Sequence, residues 1–342
     1  PAGASLRSMN ELYQDLVKNE LRLRLTIDGD DRVGVDSPFG VLVSLRYTNS
    51  VDRETGGFSK YLQNNVWGRV GSQYREINYR DQLQKEIENS LSKSFSVESL
   101  GFFDPFMPAR GVVEDGQDGW KEKPMAYVIL RRKDASVDRL PQLVVDMQFT
   151  DQTGPVTLAV QSNTPLLAQG EARERRPVNA LKVSQIVDVR SVESGDGAVT
   201  LEIRMVGEGV LPDVRDVLAG LDAPLDGYAL AKEGVEARPA LVLQDGSVAT
   251  GRFGWSNNDP PKEGYPEPDD KGMYRLKVER SFLLTYSRGS GPVGTSFALP
   301  TLRPDHKAEL ESRAYSDLDI VPVSGTTVAV DGAWWTPARA TL

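Results

Sequence analysis

Apolar and polar residues alternate without a break along Leu21-Arg22-Leu23-Arg24-Leu25-Thr26-Ile27-Asp28. Successive side chains on a strand point to opposite faces, so this run predicts a strand with one dry and one wet side. The pattern recurs at Val41, Val43, Leu45 and Tyr47, and again at Leu143, Val145, Met147 and Phe149. Asp151 to Pro155 then turns the chain, and Val156, Leu158 and Val160 continue as a partner strand, which predicts a hairpin. Further along, Val199, Leu201, Ile203 and Met205 alternate, as do Tyr274, Leu276 and Val278, and Phe282, Leu284 and Tyr286. The last strands are expected at 296–299, 318–323 and 326–330.

Two stretches change period. Leu83, Ile87 and Leu91 recur at four-residue spacing and predict a core-facing helix over 79–92. Leu12, Tyr13 and Leu16 predict a short amphipathic helix over Met9–Lys18. A third short helix is expected after Pro212, which suits a first helical turn. Ala168 to Val178, polar and closed by Pro177, reads as a linker. The expected organisation is therefore mostly β: two tandem Ig-like β-sandwich domains with short helical insertions, at 1–167 and 179–342, joined by 168–178.

Composition supports this class and narrows the partners. Among 342 residues, 31 glycines and 21 prolines imply many turns, as an all-β chain needs. The net charge of −9, with Lys and Arg dispersed, lacks the basic face of a nucleic-acid binder, so no nucleic-acid partner is expected. There is no cysteine, which removes disulfides, thiolate metal sites and cysteine nucleophiles. No apolar run approaches the ~20 residues that span a bilayer as a helix. The start, Pro1-Ala2-Gly3-Ala4-Ser5, lacks Met and a signal-type apolar stretch, so any signal or membrane anchor is expected outside this fragment.

Candidate chemistry is sparse. His306 is the single histidine, and no Gly-x-Ser-x-Gly elbow accompanies it, so a Ser-His-Asp hydrolase has little to build on. Phosphate-loop and dinucleotide fingerprints are missing. Three acidic stretches offer oxygen ligands of the kind calcium takes: Asp28 to Asp31, Asp115 to Asp118, and Glu267 to Asp270. Of these, Asp115 and Asp118 are the best calcium candidates, although Asp and Gly equally build ordinary turns. A pair of carboxylates for glycoside hydrolysis cannot be picked from 49 acidic residues. Phe102, Phe103, Phe106, Trp120, Trp255, Trp334 and Trp335 fall in predicted loops. Trp120 and Trp255 are the candidates for touching a ligand or partner, and packing is the alternative.

The second half carries a resemblance. Val206-Gly207-Glu208-Gly209-Val210-Leu211-Pro212 follows a strand, and a proline-bearing connection runs through Leu221-Asp222-Ala223-Pro224-Leu225. Arg280 to Tyr286 then leads to Thr295 to Pro300, and Tyr315 to Val323 closes the segment. This order resembles the repeated Ig-like domains of BatD-type (aerotolerance-associated) proteins; the first half departs from it. The resemblance implies a membrane-associated, extracytoplasmic β protein of the bacterial cell envelope, in the periplasm or at the cell surface, with von Willebrand-type partners and an associated ATPase. It implies no catalytic residues and no cofactor. The expected function is a non-catalytic scaffold or protein-interaction module, with a surface carbohydrate-binding or adhesion module as the alternative.

Overall fold

The computed structural model describes residues 19–35, 37–62, 66–70, 73–77, 79–152, 154–170, 172–193, 197–242, 265–290, 292–315 and 319–330. The expected helix at Met9–Lys18, Trp255, Trp334 and Trp335 lie outside the described residues. The chain is mostly β and forms several sheets with short helical insertions. It divides into two units, Pro1–Pro177 with Leu241–Leu276, and Val178–Ala240 with Lys277–Leu342.

The first unit holds β1 (Leu21–Ile27), β2 (Phe39–Thr48), β3 (Val66–Val70), β4 (Gln73–Ile77), β5 (Phe95–Phe102), β6 (Arg110–Glu114), β7 (Gln117–Arg132), β8 (Val144–Asp151) and β9 (Gly154–Gln161). Its main sheet runs β1-β2-β7-β5, and β6 pairs the other half of β7. All of these neighbours are antiparallel. The alternation in β1 and β2 is realised: Leu21, Leu23, Leu25, Val43 and Leu45 enter one core. Against them lie the helix Tyr79–Leu91, through Leu83, Ile87 and Leu91, and the β8–β9 ribbon, through Val145, Met147, Phe149, Leu158 and Val160.

The central strand of this sheet is the one that alternation did not announce. Met125 to Leu130 in β7 is continuously buried, because β7 is flanked by strands on both sides and covered on both faces. Pro124 is tolerated there because the β2–β7 register shifts beside it, between Val43 and Ser44.

The second unit holds β10 (Val178–Asp188), β11 (Val199–Gly209), β12 (Leu218–Ala219), β13 (Tyr228–Val242), β14 (Lys277–Arg288), β15 (Ser296–Ala298), β16 (Thr301–Leu302), β17 (Glu309–Tyr315), β18 (Ile320–Pro322) and β19 (Thr327–Ala329). A six-stranded sheet, β13-β14-β11-β10-β17-β18, buries one face. Leu201, Ile203, Phe282, Leu284 and Tyr286 point into it. The small β12–β16 and β15–β19 ribbons supply the opposing side; Phe297 meets Tyr286 edge-on at 5.9 Å, and the Tyr286 hydroxyl donates to the Leu221 carbonyl.

Two expectations meet a different arrangement. The polar stretch 168–178 is bonded chain rather than free linker up to Pro177. Ala168 pairs with the Asp31–Val33 segment, the Arg173 amide donates to Asp30, and the Arg176 guanidinium donates to the carbonyls of Asp28 and Arg32. The Arg176 charge is spent on carbonyls inside the first unit. Residues 241–276 belong to the first unit, where a second domain was expected to run unbroken from 179 to 342.

Candidate interaction surface

The hairpin of β6 and β7 turns on Asp115-Gly116, with φ of 51° and 77°. Positive φ at both central residues is the two-residue turn whose twist suits a hairpin, and Asp-Gly is its preferred pair. Asp115 is therefore a turn residue, and its carboxylate lies 3.1 Å from the Arg22 guanidinium. Asp118 sits beyond the turn and is exposed. Among the described residues, no three His, Asp or Glu side chains gather in a way that would hold a metal ion.

The other acidic stretches are used the same way. Asp30 accepts the amides of Arg32 and Arg173. Asp269 accepts the amides of Lys271 and Met273 and lies 2.9 Å from Arg275. Asp28, 1% exposed, accepts two bonds from Arg275, at 2.7 and 2.6 Å, and one from the Tyr127 hydroxyl at 2.6 Å. Burial first, and then the Asp28 charge, push the Tyr127 phenol well above its ordinary range.

Next to the hairpin, one face of the sheet collects charge. Cross-strand register puts Arg22 opposite Arg46, Arg46 opposite Glu122, and Glu122 opposite Arg110. Glu122, 1% exposed, accepts from Ser44, Arg46 and Arg110. Burial works to raise its carboxyl, but the bonds and charges of Arg110 and Arg46, with Ser44, outweigh burial and hold it below the usual range. Glu114 pairs with Arg46 and, at 3.4 Å, with Arg22. Trp120 is 5% exposed and carries the Arg22 guanidinium 4.4 Å from its ring centre.

Two buried cations fasten the loop between β5 and β6. Arg80 donates to the Phe103 carbonyl and Lys123 to the Pro105 carbonyl at 2.5 Å. Burial pulls the Lys123 ammonium down to about 8, against the opposing charge of Asp104. Phe102 and Phe103, expected in loops, are buried; Phe106 is exposed.

Beside β6 lies an open recess of about 370 Å³, lined by Asn49, Gly111, Val112, Val113, Asp118, Gly119, Trp120 and Lys121. Val113 is 61% exposed there, and Lys121 is neutralised by Asp52 at 2.5 Å. The recess brings together Trp120 and Asp118 from the sequence-based candidates. Val113 and Asn49 were not among them; the Asp-Gly turn, which fixes β6 against β7, is the signal that locates both strands.

No protein-family model matches the chain, and no curated protein matches it. Among solved structures, the C-terminal domain of the Streptococcus pyogenes antigen I/II-family protein AspA is similar at 14% identity, covering 91% of this chain and 100% of that one, with a TM-score of 0.18. The C-terminal domain of the Streptococcus agalactiae AgI/II polypeptide BspA is similar at 12% identity, covering 84% of this chain and 98% of that one, with a TM-score of 0.15.

Proposed function

We propose that this chain is a non-catalytic, extracytoplasmic interaction module of the bacterial cell envelope that engages a partner protein through the β6–β7 hairpin surface. The observation that supports it is the fate of the charged groups. Asp28, Asp30, Asp115, Asp269, Glu114 and Glu122 each engage an arginine or backbone amides that hold the fold together, while the recess beside β6 presents the exposed apolar side chain of Val113. The partner class follows from the BatD-type resemblance of the second half: membrane proteins with von Willebrand-type domains. The glycan-binding alternative has less support, because a ring 5% exposed under a guanidinium offers no open face for a sugar to stack on.

The test is capture of purified von Willebrand-type envelope domains by the intact chain, compared with a Val113→Lys variant. Capture that Val113→Lys abolishes supports the reading. Capture unaffected by that change, or hydrolysis of glycosides or peptides by the purified chain, refutes it.

A further inference from the structure

Among the described residues, the outer strands of the two large sheets are guarded unevenly. The β1 edge is closed by a bridge from Leu23 to Ser162 and by the Asn163 side chain, which accepts from the Leu25 amide at 2.7 Å and donates to the Leu25 carbonyl at 3.0 Å. The β5 edge is broken by a register shift between Val97 and Ser99. β18 is three residues long and ends in Pro322. β13 exposes Lys232 and Glu233. These are the usual devices that stop strand edges from recruiting other chains.

β6 is five residues long and its pairing with β7 also shifts, between Val112 and Glu114, but it carries no proline and, among the described residues, no side-chain cap on its outer backbone. Among the described residues, no strand pairs with its outer side. Its middle is Gly111-Val112-Val113, and Gly111 has nothing within 4 Å of where a side chain would begin. Arg110 and Glu114 turn inward to Glu122 and Arg46, so their charges do not stand guard at the edge. The recess runs beside this open backbone and has room for a side chain from an added strand. Its unbalanced charge is negative: Lys121 is spent on Asp52, Asp115 on Arg22, and Asp118 remains exposed on the rim.

Resting on the interaction-module reading above, we propose that β6 accepts an extended segment of the partner as an added antiparallel strand, with an apolar residue beside Val113 and a cationic residue at Asp118. Backbone pairing supplies affinity, and the two side-chain positions supply selectivity. The net charge of −9 favours a cationic segment over a second copy of this chain.

The probe is a short peptide of alternating Thr and Val with a lysine at each end, titrated against the intact chain by fluorescence anisotropy. Its twin carries N-methyl groups on alternate amides, which removes strand donors and leaves the side chains unchanged. The expected result is binding that weakens at least about tenfold on N-methylation and on Val113→Lys, and that loses much of its salt dependence in Asp118→Asn. Equal binding of the methylated twin, indifference to Val113→Lys, absence of binding, or a Val113-dependent dimer in sedimentation would each overturn strand addition. Capture of envelope domains that persists while the peptide arms fail leaves the interaction module standing and removes only this mode.

Discussion

Replacing Asp28 by alanine removes the acceptor of three side-chain bonds at once. The Arg275 side chain is 5% exposed and keeps only the Asp269 pair, whose side chain is 26% exposed. Removing one member of a buried ion pair costs about 3–5 kcal/mol, because the other charge stays buried. The Tyr127 hydroxyl, fully buried, loses its acceptor as well, which by itself costs about 1–3 kcal/mol. The two costs overlap, since one carboxylate serves both groups, and Asp269 returns part of the first. The expected loss is about 3–4 kcal/mol, a large part of the about 5–15 kcal/mol that holds a typical domain. A urea titration of the intact chain reads it, followed by tyrosine and tryptophan emission together with circular dichroism; Trp120 lies in the first unit. The double change Asp28→Ala with Arg275→Leu takes both charges out together and should regain most of the loss. A single-variant loss below about 1 kcal/mol, or a double variant no better than the single, would refute the claim that this ion pair anchors residues 265–276.

Three further outcomes follow from the same geometry. Lys123 keeps its proton to about pH 8 in the fold against 10.5 in the unfolded chain, so between those values the unfolded state binds more protons and stability rises with pH, by up to about 3 kcal/mol; Lys123→Met should flatten that slope in denaturant titrations at pH 7 to 9.5. Above pH 10 the sign reverses in both proteins, since Tyr79 and Tyr127 hold their protons longer when folded. Gly40→Ala would drive a methyl group into the Tyr127 hydroxyl and should cost about 1–3 kcal/mol in the same titration, whereas Gly57→Ala meets open space and should cost only the backbone strain of its φ of 101°. Asn163→Ala uncaps the β1 edge; a loss of about 1–2 kcal/mol and faster exchange of the Leu25 amide are expected, and an unchanged exchange rate would show that the cap is dispensable.

Period-two burial made much of this fold legible, because it depends on nearest neighbours along the chain. β1, β2, β8, β9 and β11 stand where Leu, Val and Ile alternate with polar residues, and the helix Tyr79–Leu91 stands on its four-residue stripe. β7 escaped because a strand buried on both faces has no alternation to show, and its Pro124 argues locally against a strand.

Pairing, by contrast, is where local reading stops. Arg22 and Arg24 look like the wet side of an amphipathic strand, and dispersed arginines look like solvated charge. In the fold, Arg22, Arg46 and Arg110 converge on Glu114 and Glu122, two acids 1–2% exposed. Asp28 looks like a turn aspartate; it is a buried anchor whose arginine lies 247 residues on. A carboxylate's surroundings depend on which distant segment covers it, and that is decided by the closure of the whole unit. The same logic sets Asp28, Asp115 and Asp269 against arginines of β1 and the 265–276 segment. What the fold left uncommitted was a backbone edge, a feature written in no residue type at all.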